Sequence, residues 1–186
     1  MVKRCAWCLS SEKMIDYHDK EWGMPLHDDR KLFEFIILDA FQAGLSWNTI
    51  INKRDNFRKA FHNFDAVKIA KYSQSKIDRL LNDAGIIRNR MKIHSTIDNA
   101  KAFLKIQKEF GSFDKYIWQF TEHKTIVNKI KDLKSIPATS KESDAMSKDL
   151  KSRGFRFVGS TICYAFMQAA GMVNDHTTDC HRHKKV

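Results

Sequence analysis

Apolar residues recur along this chain with a helical period. Leu32, Phe33, Ile36, Ile37, Ala40 and Phe41 share one face of a helix predicted from 29 to 43, which Gly44 interrupts. Ser46 offers an N-cap to the next helix, where Trp47, Ile50, Ile51, Phe57 and Phe61 repeat on one side. Asp65 and Ser73 can cap two shorter helices, the first carrying Val67 and Ala70, the second Ile77, Leu80 and Leu81. A longer helix with Ile93, Ile97, Ala100 and Leu104 closes at Gly111, and residues 113–120 form a short one. Periodicity weakens over 121–138, and Ile136-Pro137 marks an entry turn. Ser140 or Ser143 then starts a helix ending at Gly154, and Ile162, Ala165, Phe166 and Ala169 line a last helix stopped by Gly171. No strand-like alternation competes. The expectation is an all-α domain of roughly eight or nine helices, spanning 1–186, with 181–186 as a flexible tail.

Composition narrows the class. Hydrophobic residues make up 42% of the 186, with 13 Phe and 4 Trp, enough for a large core. Only 2 Pro and 7 Gly are present, too few for a loop-rich all-β protein. The formal charge of +11 favours an anionic partner, nucleic acid ahead of membrane. No apolar run approaches the ~18 to 20 residues of a membrane span, and the start M-V-K-R-C-A-W-C lacks a signal-peptide core, so a cytoplasmic protein with no membrane role is expected. In that reducing compartment the 4 Cys point to metal binding or packing.

Two stretches carry metal-ligating residues. Near the C-terminus, N-D-H-T-T-D-C-H-R-H sets His176 four residues before Cys180. The N-terminal region supplies C-A-W-C at 5–8 and D-Y-H-D at 16–19. Cys5 and Cys8 with His176 and Cys180 would make a Cys3His zinc site; Cys5 and His18 with the same pair would make Cys2His2. Either is a closed, structural site that would tie the chain ends together. Cys163 reads as core packing, and His27, His62, His94 and His123 as surface or packing residues.

L-L-N-D-A-G-I-I-R-N-R, at 80–90, joins two amphipathic segments through a glycine, the pattern of a helix-hairpin-helix. The backbone N–H groups around Gly85 can face a DNA phosphate, and Arg88, Arg90 and Lys92 would add cationic contacts that fix register without reading sequence. Trp7, Tyr17, Trp22 and Trp47 fall in stretches of aromatic and polar residues early in the chain, and the same region carries a carboxylate, Asp39, whose helix neighbours at 36 and 40 are apolar.

These motifs together resemble the type I 3-methyladenine DNA glycosylases. They are R-C-x-W near the start, Y-H-D-x-E-W-G, F-E-x-x-x-L-D/E, Q-A-G-L-S-W, D-A-G-I-I-R, R-G-F-R-F-V-G-x-T-I-C-Y-x-F-M-Q-A-x-G and V-N-D-H, in order from Arg4 to Cys180. The resemblance implies a helix-hairpin-helix glycosylase fold whose structural zinc joins the N- and C-terminal regions. Its ligands fall on Cys5, His18, His176 and Cys180, leaving Cys8 out. It further implies a monofunctional enzyme that flips 3-methyladenine out of alkylated double-stranded DNA, releases the free base and leaves an abasic site in base excision repair. Leu45, after flexible Gly44, would fill the gap in the duplex. Tyr17 and Trp47 would stack on the base, Trp7 and Trp22 would line the pocket, and Asp39 would take the exocyclic amine. The family usually carries Glu there, so Asp39 reaches less far by one methylene; Met14 stands near a place that often holds Tyr. A monomer is expected. The competing readings are a non-catalytic DNA-binding module with structural zinc, and a zinc hydrolase with an open metal position.

Overall fold

A computed structural model describes residues 2–185. Among them are nine α-helices: α1 (Glu12–Lys20), α2 (Asp29–Gln42), α3 (Trp47–Ala60), α4 (Ala66–Ile69), α5 (Gln74–Asn82), α6 (Arg90–Phe110), α7 (Phe113–Trp118), α8 (Lys141–Ser152) and α9 (Ser160–Ala169). The all-α expectation holds. The starts are set by side-chain caps: Ser46 accepts from Thr49 N, Asp65 from Lys68 N, Ser73 from Lys76 N and Asn89 from Lys92 N. Of the two serines offered for α8, Ser140 is the cap, and Ser143 answers it at N3 to complete a capping box.

Two elements differ from the sequence pattern. Helix α1 was not legible by period, because its buried face is only Met14, Tyr17 and His18. The aperiodic stretch holds a two-residue strand, β1 (Ile126–Val127), paired in parallel with β2 (Val173–Asn174). Thr125 Oγ1 also donates to Gly171 O, at 2.8 Å. This seam fastens the stretch to the segment that follows α9.

Helix α2 is the axis of the domain. Every residue from Leu32 to Phe41 is buried, so its neighbours must cover it on all sides, and α3, α6, α7 and α9 do so. Two acids, Glu34 and Asp39, are buried with that apolar run. The Glu34 carboxylate takes Arg54 Nε at 2.6 Å and Arg58 Nε at 2.9 Å. Arg54 also grips Glu21 through both terminal nitrogens, at 2.7 and 2.8 Å, and lies over the Phe35 ring. That buried guanidinium ties α1, α2 and α3 together.

The chain ends meet. His181 N donates to Lys3 O at 2.9 Å, Lys3 pairs with Asp179 at 2.7 Å, and Asn174 Nδ2 donates to His183 O at 3.0 Å. The described part of the expected flexible tail, 181–185, therefore forms turns against the N-terminal segment; Val186 lies outside the described residues. No described helix is long and apolar enough to cross a membrane.

Gly171 holds the end of α9 to the α1–α2 connection. Its φ is +69°, and an added Cβ would lie 2.2 Å from the Met24 carbonyl carbon. Gly154 has φ +95° with open space around it. Gly171→Ala should therefore cost about 3 kcal/mol or more, against about 1 to 2 kcal/mol for Gly154→Ala. Urea denaturation of both variants measures this, and equal losses would mean that backbone approach is not the constraint at Gly171.

Candidate active site

The last turns of α2 face a cavity of about 760 Å³. Its walls come from the Ala6–Ser10 turn, α1, α3, α9 and the loop before α8. Trp7, Tyr17, Trp22 and Trp47 supply aromatic surface; Asp39, Gln42 and Gln168 supply polar groups. The catalytic and base-binding candidates named from the sequence thus converge on one cavity. Tyr17 and Trp47 have ring centroids 5.5 Å apart, and Trp7 meets Trp22 edge-on at 4.9 Å.

Two polar atoms in this cavity have no partner. Asp39 Oδ2 and Trp47 Nε1 are both buried without a hydrogen bond. Buried polar groups are nearly always paired, so each is a candidate ligand contact. With no charge or donor beside it, burial pushes the Asp39 carboxyl well above its ordinary 3.8. The Tyr17 phenol is raised too, first by burial and then by the nearby Asp39. Burial therefore favours the uncharged form of Asp39.

Several lining residues carried no sequence signal for this role. Gln168 belongs to a matched motif, but only the fold reveals its environment. Its Nε2 donates to Asp175 Oδ2 at 2.8 Å, and Asp175 also accepts from Tyr164 Oη and from Asn128 Nδ2. Leu133 and Ile136 reach the cavity from the aperiodic stretch, and Leu133 is exposed at its mouth. Met14 also lines it.

Behind the aromatic wall lies the cluster of metal-ligating residues. Ligand atoms of Cys5, His18 and Cys180 lie within 4.8 Å of one another, and all three residues are buried. The His176 ring meets His18 edge-on at 5.0 Å; its Nδ1 is 3.0 Å from Asn174 Oδ1, and its buried Nε2 has no partner. Cys8 is committed elsewhere, with its thiol donating to Cys5 O at 3.1 Å. His18 Nδ1 lies 2.8 Å from Asp19, which Arg4 holds in turn. Burial pushes the Cys5 thiol up to about 12 and His176 down to about 3. Two thiols and two neutral imidazoles with a free buried nitrogen are a donor set that fits a dication. Trp22 packs on the His176 ring at 4.6 Å, so the cluster also supports the cavity wall.

The DNA-binding candidates lie in two turns outside the cavity lining. Gly44, at φ +79°, and Leu45 make the turn between α2 and α3, with Leu45 exposed. Gly85 and Arg88 lie in the turn between α5 and α6, outside the cavity lining; Arg88 is exposed. Asp83 Oδ1 accepts from Gly85 N at 2.7 Å and shapes that turn. Lys92 differs from expectation. It is buried, with Nζ donating to Phe41 O at 2.7 Å and Ala43 O at 2.6 Å, so it does not offer its charge to a phosphate.

Comparison with known proteins identifies the family of the chain. A family described as methyladenine glycosylase matches residues 7–183. A DNA-3-methyladenine glycosylase of Haemophilus influenzae is 50% identical over 180 residues, covering 97% of each chain. A crystal structure of 3-methyladenine DNA glycosylase I superposes with a TM-score of 0.94 at 47% identity, over 96% of this chain and 98% of the other. A variant of such an enzyme, solved in complex with 3-methyladenine, superposes at 0.92 with 32% identity, over 96% of each chain.

A raised carboxyl gives a signed pH effect. The unfolded chain loses the Asp39 proton near 3.8 while the folded chain keeps it, so this burial costs stability as pH rises toward the folded value. Asp39→Asn should match the parent below about 3.8 and grow more stable by comparison from there up to the folded value, by up to about 1.4 kcal/mol per pH unit. Melting temperatures of both proteins across pH test this; a constant difference would show that Asp39 ionises normally.

Proposed function

The chain belongs to the methyladenine glycosylase family, and from that membership we propose a monofunctional DNA N-glycosylase that everts 3-methyladenine from alkylated duplex DNA and hydrolyses its glycosidic bond. The observation that carries the reading is the unpartnered Asp39 carboxyl inside an aromatic cavity.

N3-methylation makes adenine cationic while it remains attached to the sugar. The faces of Tyr17 and Trp47 attract that cation, worth about 0.5 to 2 kcal/mol. Asp39 gives up its proton to solvent as the cation enters, and its carboxylate accepts the exocyclic N–H. Neutral adenine cannot displace the Asp39 proton, so selection rests on charge as well as shape. The cationic base is already a good leaving group. Water attacks the oxocarbenium-like sugar, and the products are free 3-methyladenine and an abasic site. No lysine lines the cavity, and Lys92 is committed to backbone carbonyls, which favours hydrolysis over an amine nucleophile. A non-catalytic binding module would leave the Asp39 and Trp47 orphans without a purpose.

The gap left by the base takes Leu45. The hairpin around Gly85 meets phosphate through the exposed Arg88 and those backbone N–H groups of the turn that are not already bonded, since Asp83 holds Gly85 N. Cys5, His18, His176 and Cys180 would hold a structural zinc ion, whose role is to cross-link the two chain ends beneath Trp7 and Trp22. The reading includes a monomeric protein of the cytoplasm.

Incubation with alkylated duplex DNA and chromatography of the released bases tests the activity; 3-methyladenine should appear. Asp39→Asn should lower kcat/KM by about a hundredfold. For the parent, kcat/KM should rise with pH, by at most about tenfold per unit, until the Asp39 value is passed, and the variant should lose that slope. A parent profile without the slope would remove Asp39 ionisation from the mechanism. Cys180→Ser should lower zinc content and melting temperature together. Full zinc occupancy in that variant would reassign the ligand to Cys8 or a tail histidine.

A further inference from the structure

Lys92 is the first-turn lysine of α6, and it is only 6% exposed. Burying an ammonium group costs several kcal/mol unless something replaces its water. Among the described residues no carboxylate lies within ion-pair distance of it; its partners are the Phe41 and Ala43 carbonyls. Those carbonyls close the C-terminal end of α2, where the final C=O groups lack helical partners and the dipole is negative. Lys92 is itself held rigidly. Asn89 Oδ1 accepts from its N–H at 3.1 Å, and its carbonyl takes Ser95 Oγ at 2.8 Å and Thr96 Oγ1 at 2.9 Å.

The carbonyls it grips border the turn that presents Leu45. Leu45 N donates to Gln42 O at 2.7 Å, and Gln42 Nε2 returns a bond to Leu45 O at 3.2 Å. Ser46 then caps α3. From α3, Lys53 Nζ donates to Ala84 O at 3.0 Å and Asn56 Nδ2 to Gly85 O at 3.3 Å, in the turn of the hairpin. The Leu45 turn, α3 and the hairpin therefore form a closed triangle. Lys92 is the side that runs straight from the hairpin's second helix to the Leu45 turn.

We propose that Lys92 is a positioning residue for duplex opening: by clamping the Phe41 and Ala43 carbonyls it fixes Leu45 against the hairpin, so that docking of the hairpin on phosphates drives Leu45 into the base stack. The inference rests on the glycosylase reading above, but its direct readout is opening of the duplex and not base release. Lys92 acts through Leu45 and touches neither base nor sugar.

Lys92→Met keeps the aliphatic stem and removes the donors. The test uses a duplex carrying 2-aminopurine, whose fluorescence rises on unstacking, beside a mismatch. Titration with the parent should raise the signal. Lys92→Met should reduce duplex opening and excision together, by about a hundredfold for a displaced group, and Lys92→Arg should recover part of both. Its affinity for free 3-methyladenine, read by tryptophan fluorescence, should equal the parent's, because Lys92 is not among the residues that line the cavity. Leu45→Ala should give the same phenotype, and the double variant should be no worse than either single one.

Undiminished opening by Lys92→Met, or a parallel fall in free-base affinity, would overturn the inference; the latter would mean that Lys92 merely supports the fold. Failure of the parent to open the duplex would overturn it as well. A parent that opens the duplex but releases no base would defeat the glycosylase reading while leaving Lys92 judged by its opening signal.

Discussion

A carboxyl group removed from water and given no partner is the constraint around which this molecule is organised. Asp39 lies on a buried helix, and among the described residues no basic group pairs with it, unlike Glu34 on the same helix, which Arg54 and Arg58 hold. Its one open direction is the cavity. Such a group resists charge until something positive arrives, and under the proposed function that asymmetry would let the cavity distinguish an alkylated base from the ordinary ones around it. Aromatic faces add attraction for the same cation, and they do so without competing for the Asp39 proton.

The remaining structure keeps the cavity intact. Arg54 braces α1 against α2 and α3, which sets the distance between Tyr17 and Trp47. The cluster of Cys5, His18, His176 and Cys180 lies beneath Trp22 and brings residues from opposite ends of the chain together. A wall assembled from such distant segments needs a cross-link, since chain ends fray when left to themselves. The hairpin and the Leu45 turn are joined to this frame through α3 and Lys92, so the surfaces proposed to meet DNA share a base with the cavity proposed to take the nucleotide.

Much of this was legible in the sequence where local chemistry decides the outcome. Ser46, Asp65 and Ser73 announced helix starts because a capping side chain acts within three residues of itself. The order of motifs pointed to Asp39 and the four aromatic residues, and the fold gathers them. Helix α1 escaped because its buried face includes an imidazole and a phenol, which periodicity counts poorly. Leu133, Ile136 and Gln168 escaped for a different reason: their place at the cavity depends on the β1–β2 seam and on the Asp175 network, both made between distant segments. Lys92 looked like a free cation, because sequence gives charge but not where a side chain is buried.

The protonation state of Asp39 in the free protein is the most direct test. Infrared spectra of the parent and of Asp39→Asn, recorded at neutral pH and subtracted, isolate its carboxyl stretch. A protonated C=O band is predicted, converting to the carboxylate pair when DNA bearing a cationic N3-methylated base is added. A carboxylate signal already present in the unliganded protein would contradict charge-driven selection by a neutral acid.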